Sequence, residues 1–515
     1  MEINFNNNRF WFILILLLSL GFRVYLFGSV GSILGADVGR FTIISHVWYL
    51  KKQIATDLRP YDLARGFFYF PGVFLLPFIF EFIGIDPVTS VTFFSFLFSF
   101  LGTLVFYKIA RVFLSESKAI ASFFFYSLGF DIVLIFNFFG LFSYGFASFF
   151  FLVVLWQLLE KKPNFFLMTL GLFGIFMFHW YLFMVLCIAL LSIFTYQFVE
   201  DRIDLNFWKL FCLSFILASL ISLPFVLPFL KYFRISFDVE RASELSKENY
   251  VDLLTFTARR LEMNAWERFK TIFFVSYVGT IFSPFLLLGF FFSILTIILR
   301  KKVNFLTYFF LFLSIASVLV FGELNLLRAA SFLWLVYCIF LGYWFDNHYL
   351  NLAFIPLFFF VQSPSILFLI NALSNYQEIF VPFINFHNFN KVMNWIKNNV
   401  PENATFLIDG GGSGCTGASA SYGERIFPLT SRKIFYFSNY CWADYDREEY
   451  RKRVDLYRRI SINASCCINE LKAYDITHIF IGEKWVGLDP KQFDNTTYFK
   501  LIYSDENGYK IYEVL

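Results

Sequence analysis

No residue between Lys162 and Glu200 carries a formal charge, and the run from Val88 to Tyr107 is equally bare. Apolar runs of this length suit helices that cross a hydrocarbon layer, where only bonds within the helix satisfy the backbone. Over 515 residues the chain is 58% hydrophobic, with 80 phenylalanines, and 16% charged. Ordinary soluble domains carry roughly 25% charge, so a water-soluble globule is excluded. With Gly at 27 and Pro at 14 the chain is neither collagen-like nor disordered. A net charge of +4 without a Lys/Arg block argues against nucleic acid as a partner.

The position of the charges divides the chain. From residue 373 onward lie 33 charged side chains, against 47 in the first 372 residues. This predicts a polytopic α-helical membrane domain over 1–372 and a separate α/β domain in water over 373–515. Eleven transmembrane helices are expected, near 10–28, 88–107, 119–136, 142–159, 165–180, 181–199, 207–229, 271–298, 303–322, 329–345 and 350–372. The first has no small-residue cleavage site after it and reads as a retained helix, not a signal peptide. The apolar stretch Phe67 to Gly84 is broken by Pro71 and Pro77 and ends near Glu81. It reads as a re-entrant or juxtamembrane segment.

With this count, the loops holding Lys108, Arg111 and Lys118, then Lys161 and Lys162, then Arg300, Lys301 and Lys302 share one side. The positive-inside rule makes that side cytoplasmic, with the N-terminus. The C-terminal domain then faces outward, and the expected location is the plasma membrane. Glycosylation sequons at Asn403, Asn463 and Asn495 all lie in that domain and agree with an outer location. Four cysteines there, Cys415, Cys441, Cys466 and Cys467, allow three disulfide pairings or none. Two long outer loops remain before the tail, 29–87 and 230–270.

The first of these reads Gly35-Ala36-Asp37-Val38-Gly39-Arg40-Phe41, then His46, then Arg59-Pro60-Tyr61-Asp62, then Phe68-Tyr69-Phe70-Pro71-Gly72. An acid just past the first helix, then amphipathic helices, then an aromatic-Pro lead into the next apolar segment resembles the C-type glycosyltransferase superfamily. The resemblance covers this loop closely and the rest of the chain by architecture. It implies an inverting integral-membrane glycosyltransferase that takes a sugar from a polyprenyl (dolichyl) phosphate and passes it to a glycan, lipid or protein acceptor on the outer face. Membrane lipid is the surrounding solvent.

Asp37 is the candidate general base: a carboxylate at the interface lies where a lipid-linked phosphate and a water-borne acceptor meet. An Asp there also suits the start of a juxtamembrane helix. Arg40 shares the helical face of Asp37 and His46 lies off it; either suits contact with phosphate or acceptor, or simply the interface. Arg328 reads as part of a short outer turn that begins at Glu323, and its fork-shaped cation suits a phosphate. The resemblance implies the same, since related enzymes hold the donor phosphate with a basic residue on a late span. A snorkelling side chain or a Glu323 partner is the plain alternative. His179 lies at the outer apex between two spans and is a further accessory candidate.

No metal site or cofactor is firmly implied. A divalent cation needs several hard oxygen ligands, and the outer turn Asn137 to Tyr144 lacks the second acidic motif that oligosaccharyltransferases keep there. The mixed-charge second outer loop reads as a flap or a solvated hairpin. In the tail, Gly412 to Gly417 fits a dinucleotide fingerprint, but no clear helix follows it, and a plain loop is the better reading. Trp442-Ala-Asp444-Tyr445-Asp446 is similar in part to the motif by which oligosaccharyltransferases bind sequon peptides, without its second aromatic and closing Gly. En bloc oligosaccharide transfer is therefore the alternative within the same superfamily. A transporter or flippase, or a scaffold of surface glycan assembly, are the alternatives outside it.

Overall fold

The computed structural model describes residues 8–30, 36–61, 64–67, 69–128, 142–179, 181–201, 203–232, 293–299, 305–319, 323–344, 386–409, 423–435, 443–482, 488–494 and 497–515. The helical part contains α1 (Asn8–Val30), α2 (Ala36–Lys51), α3 (Gly72–Glu81), α4 (Pro87–Phe113), α5 (Glu116–Leu128), α6 (Phe142–Leu159), α7 (Phe165–Phe178), α8 (Tyr181–Val199), α9 (Leu205–Leu230), α10 (Phe305–Leu319) and α11 (Glu323–Trp344). Among the described residues, Asn8–Gly28, Pro87–Phe113, Leu182–Val199 and Leu205–Leu230 are long and apolar enough to cross a membrane.

Polar residues at the ends fix where these helices start. Asp86 Oδ1 accepts from the Thr89 amide at 2.9 Å with Pro87 in the first helical position, and Asn164 and Asp204 cap α7 and α9 in the same way. α6 packs on α7, α7 on α9, α4 on α6, α5 on α11 and α8 on α10. Contact between α6 and α7 is close because Gly174 leaves its place to the Phe150 ring, whose atoms lie within 2.4 Å of where a Cβ would stand. At ten residues α3 is about 15 Å long, half a hydrocarbon core, and it holds Pro77. Phe67 to Gly84 therefore does not cross the bilayer as one helix.

Two expectations change. Glu323 to Arg328 are not an outer turn but the first two turns of α11. Glu, Leu and Arg are good helix formers, and no Gly or Pro interrupts them after Gly322. The span expected at 119–136 begins at Glu116, and its described part ends at Leu128. The span at 350–372 lies outside the described residues, as does that at 271–298 except for a helical segment at its end, 293–299.

The C-terminal part contains α12 (Phe386–Asn399), β2 (Thr405–Ile408), α13 (Gly423–Thr430), β3 (Lys433–Ile434), β4 (Ala443–Tyr445), α14 (Arg447–Ile462), α15 (Ile468–Ala473), β5 (His478–Ile481), β6 (Phe499–Ser504) and β7 (Lys510–Val514); β1 (Ala64–Phe67) lies between α2 and α3, in the loop expected to face outward. A five-stranded sheet has the order β3-β2-β5-β7-β6, parallel from β3 to β5 and antiparallel from β5 to β6. Successive side chains point to opposite faces. Phe406, Ile408, Phe480 and Ile511 join a core that runs on through α12 and α13 into the membrane helices, whereas Leu407, Ile479, Ile481 and Tyr512 pack with α14 and α15. Both faces are covered, as a parallel core requires. The β6–β7 hairpin turns through Asn507-Gly508, with Gly508 at φ +91.

Candidate functional site

Asp37 lies in the first turn of α2, seven residues past the end of α1, and Arg40 follows three residues later on the same helix. The site is therefore organised by whatever fixes α2. Its second half is buried: Phe41 to Trp48 are enclosed by α3, α4 and α13. α2 ends at Lys51, and Lys52 adopts a left-handed conformation (φ +56) with its ammonium 3.8 Å from the centre of the Tyr49 ring.

One set of contacts joins α2 to α6, α7 and α11. Phe41, next to Arg40, packs on Tyr69 with ring centres 4.6 Å apart. Tyr69 donates or accepts a hydrogen bond with Ser143 of α6 at 3.0 Å and adjoins Phe70, whose ring stacks on His179 at 6.0 Å. His179 meets Tyr144 edge-on at 5.3 Å, and Tyr144 lies 6.4 Å from Phe332 of α11. Phe332 follows Arg328 by one helical turn. The helices that carry Arg40 and Arg328 thus flank one aromatic arc with His179 at its middle. His179 is buried at the C-terminal end of α7 and does not point into open solvent.

A second set joins α2 to the C-terminal domain. His46 is buried, and its Nδ1 contacts Glu81 Oε1 at the end of α3. Its other ring nitrogen, Nε2, lies 3.0 Å from the Ser431 hydroxyl. Phe427 of α13 closes over this contact, 5.0 Å from the His46 ring and 5.9 Å from Tyr61. Farther along the loop, β1 pairs antiparallel with β4, Ala64 opposite Tyr445 and Phe67 opposite Ala443. Arg65 forms an ion pair with Asp446, which also caps α14 by accepting from the Glu449 amide. That amide and the nearby guanidinium hold the Asp446 carboxyl below the usual carboxylate range. Arg59 donates from Nε and Nη2 to Asp57 and lowers that carboxyl in the same way.

Ser431, His46 and Glu81 have the connectivity of a nucleophilic triad. The backbone beside Ser431 does not complete one, because its own amide donates to Phe427 O at 2.8 Å and the Arg432 amide donates to Thr430 Oγ1 at 3.3 Å. Neither of these two amides is left as an oxyanion donor next to the hydroxyl.

Of the residues expected from sequence, Asp37 and Arg40 share one helix with His46, and Glu323 and Arg328 share another. The side chains of Asp37, Arg40, Glu323 and Arg328 lie outside the described set. Glu81, Ser431, Phe427 and Tyr144 were not expected. Glu81 carried a signal, a lone acid in an apolar run; Ser431 and Phe427 carried none. Among the described residues no cluster of three His, Cys, Asp or Glu side chains is arranged to hold a metal ion. Cys466 and Cys467 are unpaired thiols with sulfurs 3.0 Å apart, and burial pushes Cys467 up to about 12. Cys415, Cys441 and the glycine-rich segment 412–417 lie outside the described residues, as does the second outer loop apart from residues 230–232.

No protein-family model matches the sequence, and no curated protein matches it either. Solved structures do match. The oligosaccharyltransferase AglB of Archaeoglobus fulgidus, in complex with an inhibitory peptide and a dolichol-phosphate, aligns over 97% of this chain and 74% of its own at 13% identity, with a TM-score of 0.53. ArnT from Cupriavidus metallidurans aligns over 98% of both chains at 11% identity and 0.52. The mycobacterial arabinofuranosyltransferase AftD aligns over 98% of this chain and 41% of its own at 9% identity and 0.52. These three neighbours share one fold with this chain.

Proposed function

We propose that the protein is an integral-membrane glycosyltransferase that moves a sugar from a polyprenyl phosphate to a glycan, lipid or protein acceptor on the outer face of the membrane. Asp37 takes the proton from the acceptor as its oxygen attacks the anomeric carbon. The bond from that carbon to the phosphate oxygen breaks with inversion, and Arg328 and Arg40 receive the charge that develops on the phosphate. Glu323 lies on the helix that carries Arg328, His179 lies in the aromatic arc between the two helices, and both are accessory.

The observation that supports this reading is the aromatic arc from Phe41, the residue after Arg40, to Phe332, one turn after Arg328. A base on one leaflet and a phosphate clamp on the other would have no use for each other. The dolichol-phosphate in the Archaeoglobus complex supports a polyprenyl carrier.

Transfer from mixed polyprenyl-phosphate sugars tests the proposal. Asp37→Asn is expected to lower kcat by about 10²–10⁴-fold with the protein still folded, and Arg328→Ala to raise the donor KM more than it lowers kcat. Full turnover in the Asp37 variant removes it as the base. A protein acceptor is favoured by one further feature, the seating of Ala443–Tyr445 beside the first outer loop. Sequon peptides offered in the same assay against glycan and lipid acceptors distinguish these cases.

A further inference from the structure

We propose that His46 is a positioning residue: through Glu81 and Ser431 it fixes helix α2 against the C-terminal domain, so that the candidate site is in register only while that domain is seated. This rests on the function proposed above. The geometry comes from three segments far apart in sequence, since the imidazole lies in the middle of α2, Glu81 ends α3, and Ser431 follows α13. Nine residues at about 100° each set His46 half a turn round α2 from Asp37. It therefore grips the helix from behind the face on which Asp37 and Arg40 lie in register.

Ser431 supplies an independent observation. It sits directly after α13 at φ +60, its amide closing onto Phe427 O, which is the place where helices most often put glycine. A Cβ in the left-handed region costs stability. A serine there keeps a hydroxyl that glycine would lose, and that hydroxyl meets His46 Nε2. Two further joints between the two parts, the β1–β4 ladder and the Arg65–Asp446 pair, lie beyond the end of α2. They hold the loop, whereas His46 acts within the helix.

The two roles separate in Ser431→Gly. That change relaxes the backbone and removes the hydroxyl, so a residue with only a turn-forming role gives a protein at least as stable and equally active. The expectation is instead a kcat lowered about tenfold with donor KM within about twofold, since a small displacement of a base costs turnover before binding. Hydrogen exchange at the amides of residues 41–48 is expected to quicken at the same time. Ser431→Asn, at ease in the left-handed region and able to reach Nε2, should restore both. Unchanged exchange and unchanged turnover in Ser431→Gly overturn the proposal. If the unsubstituted protein transfers no sugar, the transferase reading fails, and the exchange comparison still decides whether the joint fixes α2.

Discussion

At the scale of single residues, Gly72 sets how closely the start of α3 approaches α7. A Cβ there would stand 2.7 Å from the Met177 carbonyl oxygen and 3.0 Å from the Met177 Cβ. The oxygen belongs to the backbone of α7 and has little room to yield. Gly72→Ala is expected to cost about 1–3 kcal/mol and to loosen the stack of Phe70 on His179, two residues along from each contact. Gly21 in α1 is the control, because nothing lies within 4 Å of its added Cβ; Gly21→Ala is expected to be neutral or to stabilise by up to about 1 kcal/mol. Thermal unfolding in detergent measures both, and equal midpoints would show that α3 is not seated on α7 in this way.

At the scale of elements, Arg432 ties two helix ends together. Its Nη1 donates to Thr430 O at 2.6 Å, and its Nη2 to Lys397 O at 3.1 Å and Val400 O at 2.7 Å. These carbonyls lie at the C-terminal ends of α13 and α12, which carry unsatisfied acceptors and partial negative charge. Burial lowers the pKa of this guanidinium, yet an arginine remains charged at neutral pH. Arg432→Ala is expected to cost about 2–4 kcal/mol, because two buried carbonyls and one partly buried carbonyl lose their donor. Arg432→Lys should recover only part of that, since one ammonium cannot span both helix ends. Chemical denaturation followed by Trp395 fluorescence checks this, and equal stability of the alanine variant would mean that water replaces the cap.

The same scale explains what was legible in the sequence. The tail hairpin and strands β2 and β5 follow from turn chemistry and short apolar runs, which are local signals. The long membrane helices follow from composition. Glu323 to Arg328 did not, because charge reports distance from lipid and says little about whether the backbone is helical. Nor did the β1–β4 pairing: Ala64-Arg65-Gly66-Phe67 and Ala443-Asp444-Tyr445 carry weak strand propensity, and they pair across more than half the chain. Asp37 and Arg40 stand out in the sequence as charged residues next to a helix end. The contacts around their helix, those of His46 with Glu81 and Ser431 among them, are tertiary and leave no local pattern.

At the scale of the whole molecule, the joints between β1 and β4 and between His46 and Ser431 require the first outer loop and the C-terminal domain to occupy the same side of the membrane. Loop charge assigns Lys161 and Lys162 to the other side. Arg59, Asn403 and Lys161 are all exposed, so single cysteines at these positions report sidedness without disturbing a core. In a background lacking the native cysteines, a membrane-impermeant maleimide added to intact cells is expected to label Arg59→Cys and Asn403→Cys, and to reach Lys161→Cys only after permeabilisation. Opposite behaviour of the first two would break the link between the loop and the domain, and with it any role of the domain at the site. Shared labelling of all three would leave that link intact but remove the helix count from which the outer face was deduced.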